Sequence, residues 1–113
     1  MSKRDDLIVR YNEEFKKIGV KSVDQGLLEK VTKGLGPSIY LPDASKVSCG
    51  DKSELDRVKA NYLIKKLGLK DDAKLDEAIK EVCETFGSSN RNKFRAMFYY
   101  MLCVKFKKAG IYK

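Results

Sequence analysis

Five times along this chain an apolar pattern of helical spacing runs into a glycine: Gly19, Gly34, Gly68, Gly87 and Gly110. Glycine readily takes the left-handed conformation that closes a helix. Lysines crowd the turn before four of the five, at Lys16-Lys17, Lys30 with Lys33, Lys65-Lys66 and Lys107-Lys108. Acids open the first four patterns. Acid at the start and base at the end is the arrangement that complements a helix macrodipole. The spacing therefore predicts an all-α fold, a compact bundle of about five helices forming one domain over residues 1–113. Much of the lysine is explained by helix ends and is no sign of a nucleic-acid partner.

The segments can be placed individually. In the first, Leu7, Ile8, Tyr11, Phe15 and Ile18 recur at spacings of three and four, one apolar stripe. The second opens at Ser22-Val23-Asp24-Gln25, a capping-box pattern, and runs through Leu27, Leu28 and Val31 to Gly34. The third opens at Asp51 with Glu54 three residues on, again a capping box, and buries Leu55, Val58, Tyr62, Leu63 and Leu67. The fourth opens at Asp71-Asp72 and uses Leu75, Ala78, Ile79, Val82, Cys83 and Phe86. The fifth is expected from Ser89 or Asn90 to Ala109. Its stretch AMFYYMLCV is apolar on all sides, which predicts a central helix covered by the others. No segment alternates with period two, so no sheet is expected.

Between the second and third segments lies GLGPSIYLPDASKVSCG. Pro37 and Pro42 make this a loop with short turns, one of them near Asp43 to Val47. Ile39, Tyr40 and Leu41 are expected to pin it to the core. Its glycines do not make a phosphate loop. A dinucleotide fingerprint needs a third glycine where Ile39 stands and a strand before it, and no Gly-Lys-Ser/Thr follows.

Several function classes drop out. The longest apolar run, Ala96 to Val104, is far shorter than the roughly 20 residues of a membrane span. The N-terminal residues lack the apolar core of a signal peptide, so the cytoplasm is the expected compartment. Histidine is absent, which removes the commonest general base and the Ser-His and Cys-His pairs. The three cysteines, Cys49, Cys83 and Cys103, are odd in number and lack paired spacing. They are expected as free thiols, Cys83 and Cys103 inside apolar helices and Cys49 exposed. No metal and no cofactor is expected. Adjacent acids such as Asp5-Asp6 and Asp76-Glu77 read as capping or solvated groups rather than an acid-base pair, and an enzyme is not the expectation.

One stretch breaks the macrodipole pattern. Up to Glu84 there are 17 basic and 16 acidic residues; beyond it there are seven basic and none acidic. In SSNRNKFRAMFYYMLC the expected helix start carries Arg91, Lys93 and Arg95, where acid is the norm. Ser88, Ser89, Asn90, Arg91, Lys93 and Arg95 are thus the candidate anion-binding residues. Arg91 and Arg95, four apart on a helix, would share a face, with Lys93 turned away. The alternative is that the arginines pair internally with acids such as Asp5, Asp6, Asp76 or Glu77. Phe94, Phe98, Tyr99 and Tyr100 are expected in the core.

LLEKVTKGLGPSIYLPDASKVS, VKANYLIKKLGL and SNRNKFRAMFYYML, in that order, resemble a small bacterial family, domain of unknown function 2853. The resemblance spans nearly the whole chain. It implies a compact, all-helical, cytoplasmic domain, but no activity and no functional residues, and the three cysteines lie outside its pattern. Two functions are left. One is a helical interaction or structural domain without catalysis, whose protein partner is unspecified. The other is a binding module that takes nucleic acid, a nucleotide or an acidic protein at the basic stretch.

Overall fold

The structure, a computed structural model, describes residues 3–112. Among them are five helices and no strand. Helix α1 is Lys3–Lys17, α2 is Gln25–Leu35, α4 is Ala73–Phe86 and α5 is Arg95–Lys105. Between α2 and α4, helix α3 begins as an ordinary turn at Lys52–Arg57 and widens into a π-helix over Val58–Lys66. Short 3-10 turns lie at Gly36–Tyr40 and Ala109–Tyr112. The radius of gyration, 13.1 Å, is close to the ~13 Å of a compact chain of this length. No helix of the described residues is long and apolar enough to cross a membrane.

Helix starts follow the acids. Asp24 caps α2 by accepting from the Leu27 amide at 3.1 Å. Asp51 accepts from the Ser53 and Glu54 amides at the start of α3, and Asp72 from Lys74 at the start of α4. These carboxylates satisfy amides that no helix carbonyl reaches. The end of α1 is a two-bond closure around Gly19, φ 85°. The Val20 amide returns to Phe15 O and the Gly19 amide to Lys16 O.

Two expected stops fall elsewhere. Gly34 remains helical, and α2 ends at Gly36 with φ 65°. Helix α5 ends at Lys105, not Ala109, because Lys107 takes the left-handed conformation with φ 56°. Its amide returns to Val104 O and the Lys108 amide to Cys103 O, the same closure without a glycine.

The core gathers Tyr11 and Phe15 of α1, Leu28 and Val31 of α2, Val58 and Leu63 of α3, Leu75 and Ile79 of α4, and Met97, Phe98 and Leu102 of α5. Helix α5 packs on α1, α2 and α4. It is not covered on every side, since Val104 is 48% exposed. A bond from the Asp24 amide to the Tyr100 hydroxyl, 2.8 Å, fixes the start of α2 against α5. Of the three residues expected to pin the long loop, Ile39 does so; Tyr40 and Leu41 face outward.

The cysteines correct the sequence reading most. Cys49 and Cys83 form a disulfide, Cα to Cα 6.0 Å, and only Cys103 is free and buried. The fold brings the loop before α3 against the last turns of α4, a proximity that spacing along the chain does not reveal.

Candidate functional site

The basic stretch is not a helix start. Residues 88–93 form a turn and an extended run, and α5 begins only at Arg95. The local bonds show why. The Asn90 amide donates to Gly87 O, and the Asn92 amide to Asn90 Oδ1 at 2.7 Å. Lys93 Nζ turns back to Asn90 O. Asparagine and serine offer the backbone these alternatives to a helix. The Val47 amide then donates to Lys93 O at 2.8 Å, joining this run to the 41–50 loop. Phe94 and Lys46 form an isolated antiparallel bridge. Above the Phe94 ring sit the Arg10 guanidinium at 5.2 Å and Lys46 Nζ at 5.5 Å.

Arg95 works inward. Its backbone amide donates to Ser45 O at 2.7 Å. Its side chain donates to Ala44 O at 2.7 Å, to Lys46 O at 3.2 Å and to the Tyr99 hydroxyl at 3.1 Å, and it pairs with Glu54. Burial works against the Arg95 charge, but the bonds to Glu54 and Tyr99 outweigh it and hold the guanidinium above its ordinary pKa. Burial likewise works against the Glu54 carboxylate. Bonds from Arg95 and Arg57 outweigh it and leave Glu54 below the ordinary value. Glu54 thus serves two arginines rather than the return half of the expected capping box. It replaces Asp5, Asp6, Asp76 and Glu77 as the acid facing Arg95. Asp76 pairs with Lys59.

The 41–50 loop and the 87–94 stretch enclose an open cleft of about 690 Å³. Ser88, Asn90, Arg91 and Lys93 of the expected site border it; Ser89 is exposed and does not, and Arg95 lies beneath it. Arg91 and Arg95 therefore share no helix face. The sequence reading missed Lys46, which adds a third cation, and Asp43, Glu54 and Cys49, which also line the cleft. Arg91 is exposed and in no ion pair among the described residues. The arrangement offers a shallow surface of three cations with the exposed carboxylate of Asp43 at its edge, while its second carboxylate, Glu54, is already paired with arginine. No group of three histidine, cysteine or acidic side chains placed to hold a metal ion occurs among the described residues.

Fold and cleft together define a small all-α domain with a basic surface cleft set between two loops. The sequence profile of the family described as protein of unknown function (DUF2853) matches residues 10–110, and the chain belongs to that family. No match is found among curated proteins.

Proposed function

We propose that this protein is a non-catalytic interaction domain of the cytoplasm that receives an anionic partner at the cleft between residues 41–50 and 87–94. The observation that carries this reading is the division of labour between two arginines. Arg95 is consumed by the fold, whereas Arg91 stands exposed at the cleft with Lys46 and Lys93 and is in no ion pair among the described residues. Three cations spaced around an open cleft suit an extended polyanion, whose phosphates can meet separate cations.

The non-catalytic part rests on the ionisable groups. The chain has no histidine. Burial pushes the Tyr11 hydroxyl up to about 12, and burial also raises Tyr62 and the Cys103 thiol. Groups held in their proton-bearing forms are the opposite of a base or nucleophile working near neutral pH. The test is titration of a short labelled oligonucleotide into the wild type and a variant carrying Arg91→Glu and Lys93→Glu. Binding in the first and not in the second supports the reading.

A further inference from the structure

We propose that the Cys49–Cys83 disulfide is an exchange site for a small anionic thiol, which enters through the basic cleft and attacks Cys49 Sγ. Neither cysteine is fully buried. The bond lies between two openings. One is the cleft of about 690 Å³, where Cys49 is bordered by Lys46, Arg91 and Lys93 against the carboxylates of Asp43 and of the arginine-paired Glu54. The other is a pocket of about 310 Å³, bordered by both Cys49 and Cys83, in which Lys52 and Lys80 are balanced by Asp56 and Asp76. Of the two sulfurs, only that of Cys49 belongs to a residue reached from the cleft. The attacking species in thiol-disulfide exchange is the thiolate. A thiol carrying a further negative charge is drawn to the cleft by its three cations. Cys83 departs from the last turns of α4, where the macrodipole opposes a thiolate, and Lys80 beside the same pocket offsets that.

The reaction balances in two steps. The external thiolate forms a bond to Cys49 Sγ, the Cys49–Cys83 bond breaks, and Cys83 leaves as a thiolate that takes a proton from water. A second external thiolate then attacks the sulfur of the bound thiol, releasing the small-molecule disulfide and leaving Cys49 as a thiolate to be protonated. The protein disulfide is reduced by two electrons and two small thiols are oxidised to one disulfide. Intracellular disulfides are characteristically transient and redox-sensing, so exchange is the behaviour expected in the cytoplasm proposed above.

The consequence falls on one wall of the cleft. Residues 44–47 stay fixed by Arg95 and by the Val47–Lys93 bond. Residues 48–50 lose their covalent tie to α4 and keep the turn that joins the Asp51 amide to Ser48 O. Redox state thereby sets the shape of the surface that meets the partner, and this last step rests on the proposed function.

The test uses the oxidised full chain at low ionic strength. It is reduced with mercaptoethanesulfonate, mercaptoethanol or cysteamine, and rates are compared per thiolate. In the wild type the expected order is anionic fastest and cationic slowest, with the spread collapsing in added salt; the order should invert in the Arg91→Glu, Lys93→Glu variant, whose cleft keeps Lys46 against Asp43 and two new carboxylates. Acid quenching and mass spectrometry should find the mixed disulfide on Cys49. Equal or reversed rates in the wild type, an adduct on Cys83 alone, or free thiols at both positions in air-equilibrated protein would overturn the proposal. Oligonucleotide binding is a separate readout. Its failure with charge-ordered exchange intact removes the partner and leaves the exchange site, and the opposite result removes the exchange site alone.

Discussion

Arg95 at the first position of α5 and Glu54 in the first turn of α3 form an ion pair in which the side chains keep only 15% and 14% of their surface exposed. The same guanidinium holds Ala44 O and Lys46 O, so one side chain joins α3 and α5 to the 41–50 loop. Removing it leaves the largely buried Glu54 carboxylate with Arg57 alone and takes a donor from two carbonyls. Arg95→Met should cost about 2–4 kcal/mol of unfolding free energy. Arg91→Glu, which touches no partner, should stay within about 0.5 kcal/mol of wild type. Urea denaturation of the two variants checks the contrast. Equal losses would contradict it.

The pair also sets an acid limit. Glu54 titrates below the ordinary 4.5 in the folded protein because Arg95 and Arg57 outweigh its burial. A carboxylate with a depressed folded pKa adds stability that is fully present above its unfolded value and is lost as pH falls through the folded one. Stability should therefore begin to fall below about pH 4.5–5. Glu54→Gln should be less stable than wild type at pH 7 and lose less on acidification. Denaturant midpoints between pH 3 and 7 measure this, and parallel curves for the two proteins would refute it.

Reduction should weaken the fold. The disulfide spans a sequence separation of 34, a loop whose closure is worth roughly 3–4 kcal/mol in the chain-entropy account. For a domain of this size that corresponds to a drop in melting temperature of roughly 10–20 °C. Calorimetry with and without a phosphine reductant reads it directly. An unchanged melting temperature would restore the sequence expectation of free thiols.

Lys107 carries a left-handed backbone, φ 56°, at the end of α5. A residue with a Cβ is disfavoured there and glycine is not. Lys107→Gly should raise stability by about 0.5–1 kcal/mol. A destabilised variant would show that the Lys107 side chain matters more than its backbone.

What was legible in the sequence depended on local chemistry. Asp24, Asp51 and Asp72 cap the helices that their positions announce, and Gly19, Gly68 and Gly87 take positive φ at three of the five expected stops. What was not legible depended on distance in space. Glu54 read as a capping partner because the pattern Asp51-x-x-Glu54 is local, whereas Arg95 reaches it from 41 residues away. Asn90 and Asn92 hid the true start of α5, since their turn bonds compete with the helix expected from Ser89 or Asn90. The π-helix at Val58–Lys66 left Val58, Tyr62, Leu63 and Leu67 buried, so the apolar spacing was right while the winding was not readable from it. An odd count of cysteines concealed the one pair that the fold brings together.

In the proposed function Arg91 and Lys93, unlike Arg95, serve a partner at the cleft. The most direct test is fluorescence anisotropy with a short single-stranded oligonucleotide, titrated across ionic strength into the wild type and the Arg91→Glu, Lys93→Glu variant, with melting temperatures recorded alongside. Engagement of Lys46, Arg91 and Lys93 predicts a slope of about −2 for log affinity against log salt. The variant should lose that binding while losing only about 0.5–1.5 kcal/mol of stability with the Lys93 Nζ–Asn90 O bond. A wild type that binds no oligonucleotide at low salt, or a variant that binds as well as the wild type, would contradict the account.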